Sequence, residues 1–226
     1  MNNQIDTTAI IGKNVILGNN NNILPYTIIY DGVEIGDNNI IGPHAVIGSP
    51  PTDTKKIDNI LEKISVKIGN HNIIREFCVV EQPCYEKITQ IKDNVFLMQG
   101  VHVSHDNIIE NNVVITNLCV LGGIAKILDG ADLGMGCTIN QYNIIGQYSI
   151  VATGAPCMKN VKPFSRYIPN KPISVNTYAI NKYGFQDYLK EIQDYVIKDI
   201  VPTSKKVLEI IEKFNNWVDK YGRQTY

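Results

Sequence analysis

An aliphatic residue stands at every sixth position along most of this chain, and no other feature constrains the fold as strongly. The repeated positions are Ile5, Ile11, Leu17, Ile23, Ile29, Ile35, Ile41 and Ile47, then Ile68, Ile74 and Val80, then Ile91, Leu97, Val103, Ile109, Ile115, Leu121, Ile127, Leu133, Ile139, Ile145 and Val151. A helix repeats every 3.6 residues and a strand every two, so neither element alone selects every sixth residue. The sequence therefore predicts a repeat fold, whose units bury their apolar residues only by stacking on their neighbours.

The residue two places before each aliphatic position is small or slender, as at Ala9, Cys78, Cys119 and Cys137. Small residues fit where a chain turns a tight corner, so we predict that three hexads make one triangular coil of about 18 residues. The aliphatic side chains then point inward and stack into ladders through roughly seven coils. We interpret the cysteines at these corners as packing residues.

The repeat is interrupted twice and ends before the end of the chain. We predict a mainly β first region at 1–162, with loops leaving the coil at 49–67 and 82–90. We predict that 163–226 is an extended segment followed by helices.

Two apolar stripes in the tail repeat with helical spacing. The first helix carries its stripe from Phe185 to Val196 and is expected to end by Pro202. The second starts near Thr203 or Ser204 and ends before Gly222. Its aromatic residues are interpreted as core rather than as a cofactor pocket.

The composition excludes several classes of protein. The net charge is −1 and 19% of the residues are charged, so no basic surface for nucleic acid is expected. The sequence has no apolar run long enough to span a membrane and no hydrophobic leader at its N-terminus, so we expect a soluble, cytoplasmic protein. Five cysteines without a CxxC pair favour neither a disulfide framework nor a zinc knuckle.

The segment VHVSHD (101–106) carries the residues that most favour catalysis. Val103 is an inward position, so His105 is expected to project from a face of the coil. One coil later His105 meets Gly123, and two coils later it meets Gln141. A histidine is a suitable general base near neutral pH, and a neighbouring glycine leaves its N–H open to a developing oxyanion. Asp106 could fix the imidazole tautomer, although adjacent strand residues usually face opposite sides.

Together with the hexads, VHVSHDNIIENN and LGGIA resemble segments of the hexapeptide-repeat UDP-N-acetylglucosamine O-acyltransferase family of lipid A synthesis. The resemblance implies a left-handed parallel β-helix, with His105 as general base and Gly123 as oxyanion donor. The segment IGSPPTDTKK is similar to a family loop whose matching residues, Asp53 and Lys55, would contact the sugar. The segment VNTYAINKYGF is similar to one whose matching residues meet nucleotide and donor. In this chain the matching residues of that segment are Asn176 and Lys182. The resemblance further implies that His102, Asn140 and Gln141 complete the substrate site.

The chain departs from the family pattern at three of these places. Ile124 and Asn140 stand where the family has histidines, and the basic pair before GF reads Lys182-Tyr183. Each departure concerns a position that the resemblance assigns to substrate recognition. The residues that match the base and the oxyanion glycine, His105 and Gly123, are kept. The pattern is typical of retained chemistry on altered substrates.

We therefore predict an acyltransferase that moves an acyl group from acyl-CoA or an acyl carrier protein thioester to a nucleotide-linked sugar. N-acylation of an amino sugar for surface polysaccharide is the preferred form, and the O-acyltransferase of lipid A synthesis is the alternative. A non-catalytic structural β-helix subunit is an alternative of another class.

A β-helical carbonic anhydrase needs three histidines on zinc at a subunit interface, and the spacing of His102 and His105 differs from that family's pair. His44 and His71 lie in other coils and are interpreted as surface residues. We accordingly predict no metal and no bound cofactor. Three-sided coils pack naturally about a three-fold axis, so we expect a homotrimer with active sites between neighbours.

Overall fold

The computed structural model of the protein describes residues 2–54 and 65–226. Short strands separated by turns follow one another over most of this length. They are β1 (Gln4–Ile5), β2 (Ile10–Ile11), β3 (Ile16–Leu17), β4 (Asn22–Ile23), β5 (Ile28–Ile29), β6 (Glu34–Ile35), β7 (Ile40–Ile41), β8 (Val46–Ser49), β9 (Ser65–Ile68), β10 (Ile73–Ile74), β11 (Val79–Glu81), β12 (Ile88–Ile91), β13 (Phe96–Leu97), β14 (His102–Val103), β15 (Ile108–Ile109), β16 (Val114–Ile115), β17 (Val120–Leu121), β18 (Lys126–Ile127), β19 (Asp132–Leu133), β20 (Thr138–Ile139), β21 (Ile144–Ile145), β22 (Ile150–Val151), β23 (Pro156–Cys157), β24 (Ser165–Tyr167) and β25 (Ser174–Val175).

These strands form three sheets, and each sheet takes every third strand through β23. We call the sheets A, B and C after the strands β1, β2 and β3 with which they begin. Pairing is parallel throughout, except where β25 closes sheet A antiparallel to β24. Val103 pairs with Leu121, and Leu121 pairs with Ile139, so one coil is one 18-residue step in this region. The chain is therefore a three-sided parallel β-helix.

The ladder residues make the core. Ile29, Leu97 and Leu121 are completely buried, whereas Ile5 in the first coil is 44% exposed because no coil lies beneath it. The corners repeatedly take a left-handed backbone conformation, for example at Asp106 (φ 61°). Asn and Asp tolerate that conformation better than most residues, and they are frequent at these corners.

The interruptions are shorter than the sequence predicted. Strand β9 begins at Ser65, inside the predicted loop 49–67, and β12 begins at Ile88, inside the predicted loop 82–90. Both strands pair in register with each other over four residues, so the sheet resumes before the hexad pattern becomes visible. Residues 55–64 of the first loop lie outside the described residues.

The β-helix also continues beyond the predicted boundary at residue 162. Val161 bridges to Ile145, and β24 pairs parallel with β22 and buries Tyr167 in the core. The last coil is two residues shorter than the regular 18-residue coil, because Val161 lies only 16 positions after Ile145. Because the coil is shorter, the six-residue spacing is lost from the sequence, although the inward residues still stack on the core.

The tail contains a helix that the sequence did not predict, α1 (Thr177–Lys182), which starts after the capping residue Asn176. A 3-10 helix (Gln186–Tyr188) follows, and then α2 (Leu189–Lys198) and α3 (Lys205–Tyr221). Gly222 ends α3 in the left-handed conformation, as expected. Ile192 of α2, Val207 of α3 and Phe185, which precedes the 3-10 helix, form one buried cluster with Phe164 of the last coil. Within residues 2–54 and 65–226, no helix has the length and apolar character needed to cross a membrane.

Candidate active site

A cavity of about 390 Å³ opens on the outer face of sheet B. His105, Gly123 and Gln141, which register alone predicted to be stacked neighbours, all line it. Asp53 and Asn140 line it as well, and so do Thr52, Ser104, Val120, Gly122, Thr138, Ile139 and Met158. Five of the sequence-predicted site residues therefore meet in one concave, largely polar place.

His105 and Asp106 form a close pair at the corner between sheets B and C. His105 Nδ1 lies 2.8 Å from Asp106 Oδ2, although the two residues are adjacent in sequence. Adjacent strand residues face opposite sides, but His105 and Asp106 lie in the turn after β14, where Asp106 has φ 61° and its carboxylate points back toward the imidazole. With Nδ1 engaged by the carboxylate, Nε2 is the nitrogen left for a reacting group.

The Asp106 carboxylate is completely buried and is held by backbone N–H groups of the second loop. Cys84, Tyr85 and Glu86 each donate their backbone N–H to it, at distances from 2.8 to 3.3 Å. Its own backbone N–H donates to Thr89 Oγ1 at 2.8 Å. Successive N–H groups of this kind form a concave anion site, so the loop fixes the carboxylate that orients His105.

Burial lowers the pKa of His105, whereas the hydrogen bond and the charge of Asp106 raise it. The charges of Glu81 and Asp53 act in the same direction, so the pKa of His105 is raised above its ordinary value. His105 is only 7% exposed. The site therefore stabilises the imidazolium that forms when His105 accepts a proton.

Gly123 lies directly against the imidazole ring. A methyl group at this position would lie 2.3 Å from Cε1 and 2.4 Å from Nε2 of His105, so only glycine fits. Among the residues that the structure describes, none accepts a hydrogen bond from the Gly123 N–H, whereas the Gly122 N–H is used by Ile139 O. Acyl transfer requires a general base and a hydrogen-bond donor for the oxyanion, and His105 Nε2 and the Gly123 N–H can supply these two groups.

Sequence reasoning missed Glu81, which lies at the centre of the polar network. Its buried carboxylate accepts hydrogen bonds from the His105 backbone N–H (3.0 Å) and from Thr52 Oγ1 (2.7 Å), and it lies 3.2 Å from His102 Nε2. Burial raises the pKa of Glu81, but the hydrogen bonds from His102 and Thr52 bring it below its ordinary value. Since Val80 pairs with Val103, register alone places Glu81 one coil below Ser104, beside the site.

Tyr85 was also missed. Its hydroxyl donates to Asp53 Oδ2 at 3.0 Å, and its ring centroid lies 5.7 Å from that of His105. The hydrogen bond to Asp53 raises the pKa of Tyr85 to about 12, so the hydroxyl stays protonated at neutral pH. The loop that carries Asp53 and the loop that carries Tyr85 therefore meet beside His105.

Asn176 and Lys182 do not line this cavity within one chain. Asn176 is buried, caps α1 and donates to Tyr148 O at 2.9 Å. Lys182 ends α1, where its ammonium lies 4.9 Å from the ring centroid of Tyr183. Lys55 lies outside the described residues. The predicted contacts of Asn176 and Lys182 with nucleotide and donor therefore stay predictions.

Cys84, His105 and Asp106 bring ligand-type atoms within 4.8 Å of one another. The Asp106 oxygens, however, are already occupied by backbone N–H groups and by His105, and the Cys84 thiol lies 3.7 Å from Oδ2. Burial, followed by the charge of Asp106, raises the pKa of Cys84 to about 12, which disfavours the thiolate that a metal ligand must supply. These residues fit a hydrogen-bonded dyad better than a metal centre.

The repeats, the fold and the histidine-lined cavity together define a hexapeptide-repeat transferase. A family model described as bacterial transferase hexapeptide (six repeats) matches residues 9–49. An acyl-acyl-carrier-protein–UDP-N-acetylglucosamine O-acyltransferase of Campylobacter concisus is 31% identical over 192 residues, which cover 83% of this chain and 72% of that protein. The chain belongs to this family of O-acyltransferases.

Two further comparisons agree with this assignment. A protein of the same name from Gloeothece citriformis is 28% identical, over 76% of this chain and 63% of its own length. The solved structure of a UDP-N-acetylglucosamine acyltransferase from Bacteroides fragilis matches with a TM-score of 0.81 and 26% identity, covering 99% of this chain and 98% of that one. The prediction of a left-handed parallel β-helix is thereby confirmed.

Replacing Asp106 by Asn should lower the pKa of His105, because the imidazolium loses its carboxylate partner while burial continues to oppose its charge. Titration of ¹³C-labelled histidine by NMR measures this directly, and removing His105 assigns its signal among the four histidines. Asp31→Asn is the control, because Asp31 is exposed and, among the described residues, accepts a hydrogen bond only from the Lys13 N–H. An unchanged His105 midpoint in Asp106→Asn would contradict the dyad.

Proposed function

We propose that the protein transfers an acyl group from an acyl carrier protein thioester to a hydroxyl of UDP-N-acetylglucosamine or a closely similar nucleotide sugar. As a member of its family the protein is an acyltransferase. The observation that carries the proposal is that His105 and Gly123 line one cavity side by side, with no acceptor for the Gly123 N–H among the described residues. The cytoplasmic location expected from the sequence belongs to the same proposal.

In the proposed reaction, His105 Nε2 accepts the proton of the sugar hydroxyl while that oxygen attacks the thioester carbonyl carbon. The carbonyl oxygen becomes an oxyanion and accepts a hydrogen bond from Gly123 N–H. The C–S bond then breaks, and the imidazolium returns the proton to the leaving thiolate. Asp106 stabilises the imidazolium that forms, as in other histidine–carboxylate pairs.

The comparisons support O-acylation better than the N-acylation that the sequence favoured, because the relatives are named as O-acyltransferases. The position of His105 beside Gly123 fits O-acylation, since a hydroxyl needs a general base more than an amine does. Ile124 and Asn140, which replace histidines of the family pattern, keep the N-acyl interpretation as a second candidate. Asn140 lines the cavity where the acceptor would lie.

We propose that Asp53, Gln141 and Asn140 bind the sugar, since all three line the cavity beside His105. Lys55 and His102 belong to the same proposal. His102 lies on the same sheet face and is held near Glu81. Polar groups that converge on a cavity fix the orientation of a ligand within it.

We propose a homotrimer in which a neighbouring copy completes each site with Asn176 and Lys182. The outward positions of sheet B support this proposal, because Ile10, Ile28 and Val46 are aliphatic and Ile10 is 60% exposed. A sheet face that was fully solvated would carry polar residues there. The cavity opens on the same face, so a neighbour packed against it would border the cavity.

Thiol release and product mass should be measured with acyl carrier protein and CoA thioesters of several chain lengths. The acceptors are UDP-N-acetylglucosamine and a panel of UDP- and dTDP-linked amino sugars. We expect turnover with UDP-N-acetylglucosamine and an ester product. His105→Ala should lower kcat by about 10²-fold or more, the contribution of a positioned base.

His71→Ala is the control, because His71 is an exposed corner histidine that does not line the cavity. An amide product from an amino sugar would favour the N-acyl candidate. Absence of turnover with every pair would contradict the proposed function and favour a structural subunit.

Light scattering should give three times the mass of one chain. Val46→Glu should shift the protein to smaller species and abolish turnover, because it places a charge on the aliphatic face of sheet B. Ile16→Glu on sheet C is the control, since Ile16 is already 61% exposed away from that face. A fully active wild-type monomer would contradict the composite site.

A further inference from the structure

Lys126 is the one described lysine that is completely buried, and it lies behind the His105–Asp106 pair. Its position in β18 is occupied by Ile108 in the coil below and by Ile144 in the coil above. An apolar residue therefore occupies this position in the two neighbouring coils. Burying an ammonium costs several kcal/mol even when it is paired, so stability alone gives no reason for a lysine here.

The ammonium of Lys126 binds the corner that carries the catalytic pair. Its Nζ donates to the backbone oxygen of Asp106 at 2.7 Å and to Glu86 Oε2 at 3.1 Å. Asp106 has a left-handed backbone, a conformation that costs most residues free energy and that surrounding contacts must maintain. Lys126 supplies such a contact at Asp106, where the direction of the carboxylate determines how the His105 imidazole is oriented.

Glu86 connects the same lysine to the other support of Asp106. The Glu86 backbone N–H donates to Asp106 Oδ1 at 2.8 Å, so this residue belongs to the concave N–H site that holds the carboxylate. The Glu86 side chain accepts from Lys220 Nζ at 2.8 Å and from Tyr221 Oη at 2.6 Å, both at the end of α3. Helix α3 is thus tied, through Glu86, to the loop that orients Asp106.

The rings of Trp217 and Tyr221 complete the enclosure of Lys126. Their centroids lie 5.3 and 5.7 Å from its ammonium, within the range of cation–π contacts. Burial lowers the pKa of Lys126, while Glu86 and Asp106 oppose that effect. The lysine is held from three directions and has little freedom to move away from Asp106.

From these contacts we infer that Lys126, with Glu86, is a positioning residue for the reaction: it fixes the corner at Asp106 and thereby the direction of the His105 imidazole. This inference rests on the proposed function for its kinetic consequence only. The geometric consequence concerns the His105–Asp106 pair and exists whether or not the substrate is correctly identified. Lys126 touches no substrate in this account and acts through Asp106.

The test is Lys126→Met, which keeps the length of the side chain and removes the ammonium. The NMR titration of His105 is the first measurement, because it needs no substrate. The charged and titratable groups facing His105 are Asp106, Glu81, Asp53, Tyr85 and Cys84, and the variant changes none of them. If the corner loosens, the hydrogen bond to Asp106 weakens and the pKa of His105 falls toward its ordinary value of about 6.5.

The second measurement is kinetic, with the substrates found for the wild type. We expect kcat to fall about tenfold with KM little changed, a part of the roughly 10²–10⁴-fold that a positioned base contributes. The acidic limb of the pH profile should move down together with the His105 midpoint. Tyr221→Phe is a milder variant that removes one hydrogen bond to Glu86 without changing charge, and it should act in the same direction.

Lys92→Met is the matched control, because Lys92 pairs with Glu110 at 3.1 Å on the same side of the β-helix. An unchanged His105 midpoint in a folded Lys126→Met protein would overturn the inference. A midpoint that rises would overturn it as well, since that is the effect of removing a positive charge without any loss of position. A wild type without turnover would reject the proposed function and leave the NMR result to decide this inference.

Discussion

Every part of this structure depends on the stacking of one aliphatic side chain from each hexad onto its counterpart one coil away. A two-residue strand cannot bury anything alone, so each coil is stable only as part of the ladder. The same stacking fixes the register, because an aliphatic residue that moved by one position would point outward. Residues 18 apart, such as His105 and Gly123, are consequently held against each other by the core beneath them.

The candidate active site uses this rigidity but is built where the ladder is interrupted. The loop that precedes β12 supplies the N–H groups for Asp106 and places Tyr85 over the base. The loop that follows β8 brings Thr52 to Glu81. A rigid scaffold with loops that carry polar groups is a common arrangement for binding and catalysis, because the scaffold limits the movement of the groups it holds.

The sequence predicted what depends on local spacing and failed where distant segments meet. The fold and the meeting of His105, Gly123 and Gln141 follow from an 18-residue coil, and the structure confirms that meeting. The roles assigned to these residues stay predictions. The backbone N–H groups that bind the Asp106 carboxylate could not be predicted, because the loop insertion changes the spacing between Glu86 and Asp106. The burial of Lys126 depends on α3, nearly a hundred residues later in the chain, and no local pattern indicates it.

A crystal structure with UDP-N-acetylglucosamine bound would test the central claim most directly, because that claim concerns the position of one hydroxyl. We predict that a sugar hydroxyl lies about 3 Å from His105 Nε2, on the side of the ring that faces Gly123. The Gly123 N–H should point to the space beyond that hydroxyl, where the oxyanion would form. A sugar bound away from this cavity, or one that presents no hydroxyl to Nε2, would contradict the account.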